Sequence, residues 1–168
     1  VNREHPLQGE LIPDLVPLTG GWPDQHLDRT AARMLAAAIE AVHGTGQILP
    51  VSGWRSQEEQ QAIWNDTFRK EGADFTAKYV ARPGCSEHQT GLAVDLALSA
   101  DNIDFIRPDF PYDGVCGAFR KVAARYGFIE RYTADKQDKT GIAAEPWHFR
   151  YVGVPHARIL TDAGICLE

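Results

Sequence analysis

The 168-residue sequence has no apolar run long enough to span a membrane as a helix, no internal repeat and no low-complexity tract. Within these residues neither a membrane-spanning helix nor a repeat array is expected. It also lacks a basic cluster: 17 Lys and Arg stand against 23 Asp and Glu, a net charge of −6, so nucleic acid is not an expected partner. Cysteine is scarce. Cys85, Cys116 and Cys166 do not make an even framework, and any disulfide would leave one thiol over. The sequence opens at Val1 with neither an initiator Met nor a leader, which reads as a trimmed product and leaves an upstream anchor open. The length suits a single core, and one domain over residues 1–168 is expected.

What is present concentrates in two short stretches, the run from Ser86 to Asp95 (SEHQTGLAVD) and Glu145-Pro146-Trp147-His148. Zinc takes imidazole nitrogen and carboxylate oxygen, and a catalytic zinc keeps three protein ligands with one position open. His88, Asp95 and His148 supply that count. Glu145 is left over as a carboxylate beside the last ligand, the position of a general base in metal-assisted hydrolysis. Leu92, Val94 and Leu96 alternate with Ala93, Asp95 and Ala97 as strand faces do, which places Asp95 on a strand and His88 on the loop leading in. A carboxylate in so apolar a run needs a partner. A metal is one, and a buried salt bridge or turn is the plainer alternative.

Glu145 and His148 are three apart and would point to opposite faces of a regular strand, so a bend is required. Pro146 supplies it, holding Glu145 extended and delaying the strand until Trp147. Elsewhere, Asp28 caps a helix running through Val42 and ended by Gly44, and Ser56 with Glu59 forms a capping box for a helix to about Gly72. Arg55 then sits at a strand-to-helix corner, from which its head can reach a cleft; a surface ion pair is the commoner fate of an Arg. A third helix spans about Asp113 to Tyr126 with Gly127 as its stop, a strand runs from Phe128 to Tyr132, and a last helix starts near Pro155. The polar run Thr133 to Gly141 reads as a loop and a candidate rim of the cleft. His5, His26, His43 and His156 carry no ligand-like pattern. The elements predict an α+β fold: one compact domain in which a small antiparallel sheet bears the zinc site and helices flank it.

These stretches, with Val1 to Leu7, Ser52-Gly53-Trp54-Arg55-Ser56 and Gln60, Pro83-Gly84 ahead of Ser86, and the continuation to Gly153, make the sequence similar to the VanY-type D-alanyl-D-alanine carboxypeptidases. Those belong to a wider group of zinc peptidases that includes dipeptidases, lysostaphin-like enzymes and the hedgehog domain. The resemblance implies His88, Asp95 and His148 as zinc ligands, Glu145 as catalytic base and Arg55 as the cation that stabilises the transition state. It further implies Ser86 near the substrate's terminal carboxylate, with Gln60 and Tyr79 as further substrate contacts. Cys85 stands where the family would lead one to expect a small hydroxyl residue, and its neighbours make it a small buried residue rather than a fourth ligand.

The activity so implied is release of the terminal D-Ala from peptidoglycan stem pentapeptides or precursors by a monomer at the cell envelope, outside the membrane, with a cytoplasmic setting as the alternative. A link to glycopeptide antibiotic resistance is part of the same resemblance. A dual D,D-dipeptidase/D,D-carboxypeptidase and an L,D-carboxypeptidase on the tetrapeptide would use the same scaffold. A zinc-stabilised binding module without turnover belongs to another class, and the joint presence of Glu145 and Arg55 counts against it.

Overall fold

The computed structural model describes residues 1–8, 11 and 13–168. Its elements in chain order are β1 (Leu15–Pro17), β2 (His26–Asp28), α1 (Arg29–Ala41), β3 (Ile48–Ser52), α2 (Gln57–Glu71), α3 (Ala73–Tyr79), β4 (Ala93–Leu98), α4 (Gly114–Ala123), β5 (Phe128–Glu130), α5 (Gln137–Thr140), β6 (His148–Tyr151) and α6 (Val154–Ala163). No helix among the described residues is long and apolar enough to cross a membrane.

The helix starts follow the capping chemistry. Asp28 accepts from the backbone N–H groups of Thr30 and Ala31 at the head of α1, and Ser56 and Glu59 form the reciprocal capping box of α2. Pro155 lies in the first turn of α6, where its missing N–H costs nothing. The helix from Ser56 ends where expected, but two features nearby and downstream differ from expectation. Gly72, at φ 85°, stops α2, and a separate helix, α3, follows at once. The helix before Gly127 tightens into a 3₁₀ turn over Ala124–Tyr126.

The strand expected to reach Tyr132 stops at Glu130, because Tyr132 adopts φ 62° and turns the chain out of the sheet. The strand expected from Trp147 begins one residue later, at His148. The run Thr133–Gly141 is not bare loop; it coils into a 3₁₀ turn and α5.

Four strands form one antiparallel sheet in the order β3-β4-β6-β5, and β1 pairs with β2 separately. Pro50 is tolerated because β3 is an edge strand. Just past it the register slips by one residue, with Pro50 opposite Leu96 but Ser52 opposite Asp95. Such a bulge re-aims the side chains that follow it. One face of the sheet packs on α1 and α4 through Leu35, Ile39, Leu96, Phe119 and Phe149, with Phe119 and Phe149 edge to face at 5.1 Å.

The segment after β3 runs against β2. His26 accepts the N–H of Trp54 at 2.7 Å, and a Cβ on Gly53 would stand 2.2 Å from that same carbonyl oxygen. Space, not backbone conformation, requires glycine there. Gly53→Ala is expected to lose about 1–3 kcal/mol of stability in chemical denaturation, the usual cost of overpacking; a loss below about 0.5 kcal/mol would show that the strands can part freely.

Candidate metal centre and cleft

Sheet register assembles the site. Asp95 lies in β4 directly between Ser52 of β3 and His148 of β6, so three consecutive strands place their side chains in one row. His88 enters from a 3₁₀ turn over Glu87–Thr90, closed where Thr90 Oγ1 donates to the Glu87 carbonyl at 2.6 Å and Gly91 takes φ 71°. His88, Asp95 and His148 are all buried, and their ligand atoms lie within 4.8 Å of one another. His88 Nε2 is 3.2 Å from Asp95 Oδ2, and His148 Nδ1 is 3.0 Å from Asp95 Oδ1. Two ligands of a tetrahedral zinc stand about 3.4 Å apart when each bond is about 2.1 Å, so this spacing suits such an ion.

The far nitrogen of each ring decides which lone pair faces inward. His88 Nδ1 lies 2.7 Å from the Gly53 carbonyl, an acceptor only, and therefore donates to it. Its Nε2 is left to bind. His148 is reversed: Nε2 lies 3.1 Å from Glu87 Oε2, and Nδ1 faces Asp95. An outer acceptor behind each imidazole is the arrangement that orients histidine ligands to metals, and the donor set fits a divalent cation such as zinc.

Electrostatics agree with that division. Burial lowers the His88 pKa and Arg55 adds to the effect, which leaves the ring neutral. Burial opposes the charge of His148 too, but the hydrogen bonds that its ring donates to Asp95 and Glu87 override it and raise its pKa to about 9. Burial opposes the charge of Asp95 as well, but the protonated His148 donating to it holds its pKa well below the carboxylate range. Glu145 stands outside this set, with Oε2 3.9 Å from His148 Nδ1. A turn puts it there: His148 N–H donates to the Glu145 carbonyl at 3.1 Å, and Glu145 N–H to Tyr132 at 2.9 Å. Burial pushes Glu145 up to about 8, opposed by His148 and reinforced by the charge on Asp95.

Arg55 does not form a surface ion pair. Its Nη2 donates to Asp95 Oδ2 at 3.1 Å and to Ser52 Oγ at 2.7 Å, while Nη1 reaches Gln60 Oε1 at 3.3 Å. Gln60 is buried, and its amide nitrogen donates to the Ala81 carbonyl at 2.8 Å. Both ends of that amide are used within the chain, so Gln60 holds Arg55. Ser86, Gln60 and Tyr79 line one cleft of about 710 Å³ with Arg55, Glu145 and the three candidate ligands. Trp54, Trp147, Phe105 and Ile106 add apolar wall. From the loop expected to form the rim, only the flanking Tyr132 and Ile142 reach this cleft; Thr133, Lys136 and Thr140 line a smaller cavity elsewhere. Cys85 is half-buried rather than buried and does not join the ligand cluster.

Residues 24–154 match the family model described as VanY: D-alanyl-D-alanine carboxypeptidase. The chain belongs to the VanY family. It is 39% identical over 170 residues to the bifunctional D-Ala-D-Ala dipeptidase and carboxypeptidase VanXYC of Enterococcus gallinarum, covering 100% of this chain and 90% of that one. Among solved structures, the vancomycin-resistance D,D-dipeptidase VanXYg in complex with a D-Ala-D-Ala phosphinate analogue superposes with a TM-score of 0.97 at 50% identity, over 99% of this chain and 66% of that one. A VanY D,D-pentapeptidase from a VanB-type cassette, a mutant in complex with Zn(II), matches with a TM-score of 0.80 at 30% identity, over 99% and 94% of the two chains. This VanY-family chain is an α+β zinc-peptidase fold, as its elements predict.

Glu87 escapes a reading by residue type, since a Glu two residues into a loop has no ligand partner in sequence. Its position directly before His88 was the only signal. In the fold it is buried, and although burial would raise its pKa, His148 with Arg131 and Arg150 brings it down to about 2.

Equilibrium dialysis should find about one zinc per chain, and His148→Ala should abolish it; stoichiometric zinc in that variant would remove His148 from the ligand set. Because His148 stays protonated up to about 9 without a metal, binding must displace that proton. Zinc affinity should therefore fall about tenfold per unit as pH drops below that value, and a flat response in chelator competition would contradict the arrangement.

Proposed function

We propose that this chain is a zinc D,D-carboxypeptidase that hydrolyses the last peptide bond of peptidoglycan stem peptides ending in D-Ala-D-Ala. The observation that carries the reading is Glu145, a buried carboxylate in the cleft, 3.9 Å from a ligand nitrogen yet outside the His/Asp/His set. Zinc held by His88, Asp95 and His148 would supply the Lewis acid that acidifies water and polarises the scissile carbonyl.

Glu145 takes the proton from the attacking water and returns it to the departing D-alanine amine. Its place in the cleft beside His148 lets one carboxylate serve both steps. Arg55, held by Ser52 and Gln60, faces the charge that develops on the carbonyl oxygen. Its side chain keeps 20% exposure, so the head is reachable from the cleft. Ser86, two residues before His88, offers a hydroxyl to the substrate's terminal carboxylate, and Tyr79 borders the same space. The same reading places the enzyme at the cell envelope as a monomer, with the cytoplasmic precursor pool as the alternative.

A second reading, dual action on the free dipeptide as well, is favoured by the likeness to VanXYC and VanXYg. Mass spectrometry of products from the pentapeptide, the tetrapeptide and free D-Ala-D-Ala in parallel separates the readings. Loss of one D-Ala from the pentapeptide alone supports the carboxypeptidase, added cleavage of the dipeptide supports dual action, and turnover of the tetrapeptide alone overturns both.

Glu145→Gln should keep metal and fold while losing about a hundredfold or more in kcat; a near-normal rate would assign the proton to another group. Ser86→Ala should raise KM with a smaller loss of kcat, and amidating the substrate's C-terminus should weaken wild type far more than the variant. Equal sensitivity of both proteins would place the carboxylate on another group.

A further inference from the structure

The side of His148 away from the cleft is as polar as the side facing it. Glu87 is 2% exposed and lies in the 3₁₀ turn that also carries His88. Its Oε2 meets His148 Nε2 at 3.1 Å, and its Oε1 receives Arg131 Nε at 3.2 Å, with Arg150 Nη1 3.3 Å away. Arg131 is in turn gripped by Glu168 through two bonds of 2.9 and 2.7 Å. A carboxylate with no exposure is costly to bury, and two guanidiniums stabilise its charge. Neither guanidinium touches the cleft.

We propose that Glu87 is a positioning residue for the metal centre: it dictates that His148 presents Nδ1, and not Nε2, to the cation, and it strengthens that nitrogen as a ligand. The geometry leaves little freedom. A carboxylate beside two guanidiniums only accepts, so Nε2 keeps its hydrogen and Nδ1 is the nitrogen that gives up its proton to the cation. The negative charge behind the ring raises the electron density available at Nδ1, as a carboxylate does behind many metal-bound imidazoles. Arg131 and Arg150 keep Glu87 ionised, and Glu168 offsets the charge of Arg131, so that Glu87 is not drawn wholly away from the histidine. The pairing also ties the two histidines together, because one short turn supplies His88 as a ligand and the orienting group of His148. This inference rests on the metal reading given above.

The test uses the whole protein loaded with a spin-half cadmium isotope and labelled with nitrogen-15 histidine. Scalar coupling from cadmium to His148 should appear at Nδ1, with a slowly exchanging proton on Nε2, while His88 couples through Nε2. Coupling to Nε2 of His148 overturns the proposal and needs no variant. Chelator competition supplies the second arm: Glu87→Gln should weaken zinc about 10–100-fold, whereas Glu168→Gln, which loosens the same cluster one residue further out, should lower Tm and leave zinc affinity at the wild-type level. Wild-type affinity in Glu87→Gln, or equal weakening in Glu168→Gln, would reduce Glu87 to a packing role. Failure of wild type to bind either ion would instead overturn the metal reading itself.

Discussion

A single buried carboxylate organises this molecule. Asp95 sits mid-strand in β4, whose other residues are apolar, and it touches both imidazoles and the Arg55 guanidinium at 3.0 to 3.2 Å. A charge so placed is tolerable only with partners on every side, and losing any one would leave it uncompensated. The strand register follows from that demand. Ser52 and His148 must stand opposite Asp95, and the bulge at Pro50–Ser52 brings Ser52 into line. A slip of one residue would turn all three side chains to the other face.

The same constraint explains how stability and chemistry share residues. Ser52 and Gln60 hold Arg55 without meeting the scissile bond, and Gly53 lends its carbonyl to His88 while passing close to His26. Pre-organisation of this kind means that little need move when charge develops in the cleft. The apolar half of the sheet, stacked through Phe119 and Phe149, keeps the row of polar side chains in place from behind.

Much of this was legible in the order of residues. Caps at Asp28, Ser56 and Gly127 mark helix ends through local chemistry, and Pro146 signals the bend that brings Glu145 and His148 together. His88, Asp95 and His148 stand out because zinc needs those donor types. The pairing of β1 with β2, the helix that follows Gly72 and the turn at Tyr132 were not legible, since each depends on contacts made after folding. The role of Glu87 was hidden for the same reason, since its partners Arg131 and Arg150 lie far along the chain, and Gln60 is fixed towards Arg55 by a bond to Ala81, 21 residues away. Cys85 was read from its neighbours as a small buried residue, and in the fold it is only half-buried.

The most direct test is anomalous diffraction at the zinc absorption edge from crystals of the zinc-loaded protein. The account predicts one strong peak about 2.0–2.2 Å from His88 Nε2, an Asp95 carboxylate oxygen and His148 Nδ1, with Glu145 in the cleft beyond bonding distance. A peak bound by Glu145, or a zinc held elsewhere in the chain, would contradict it.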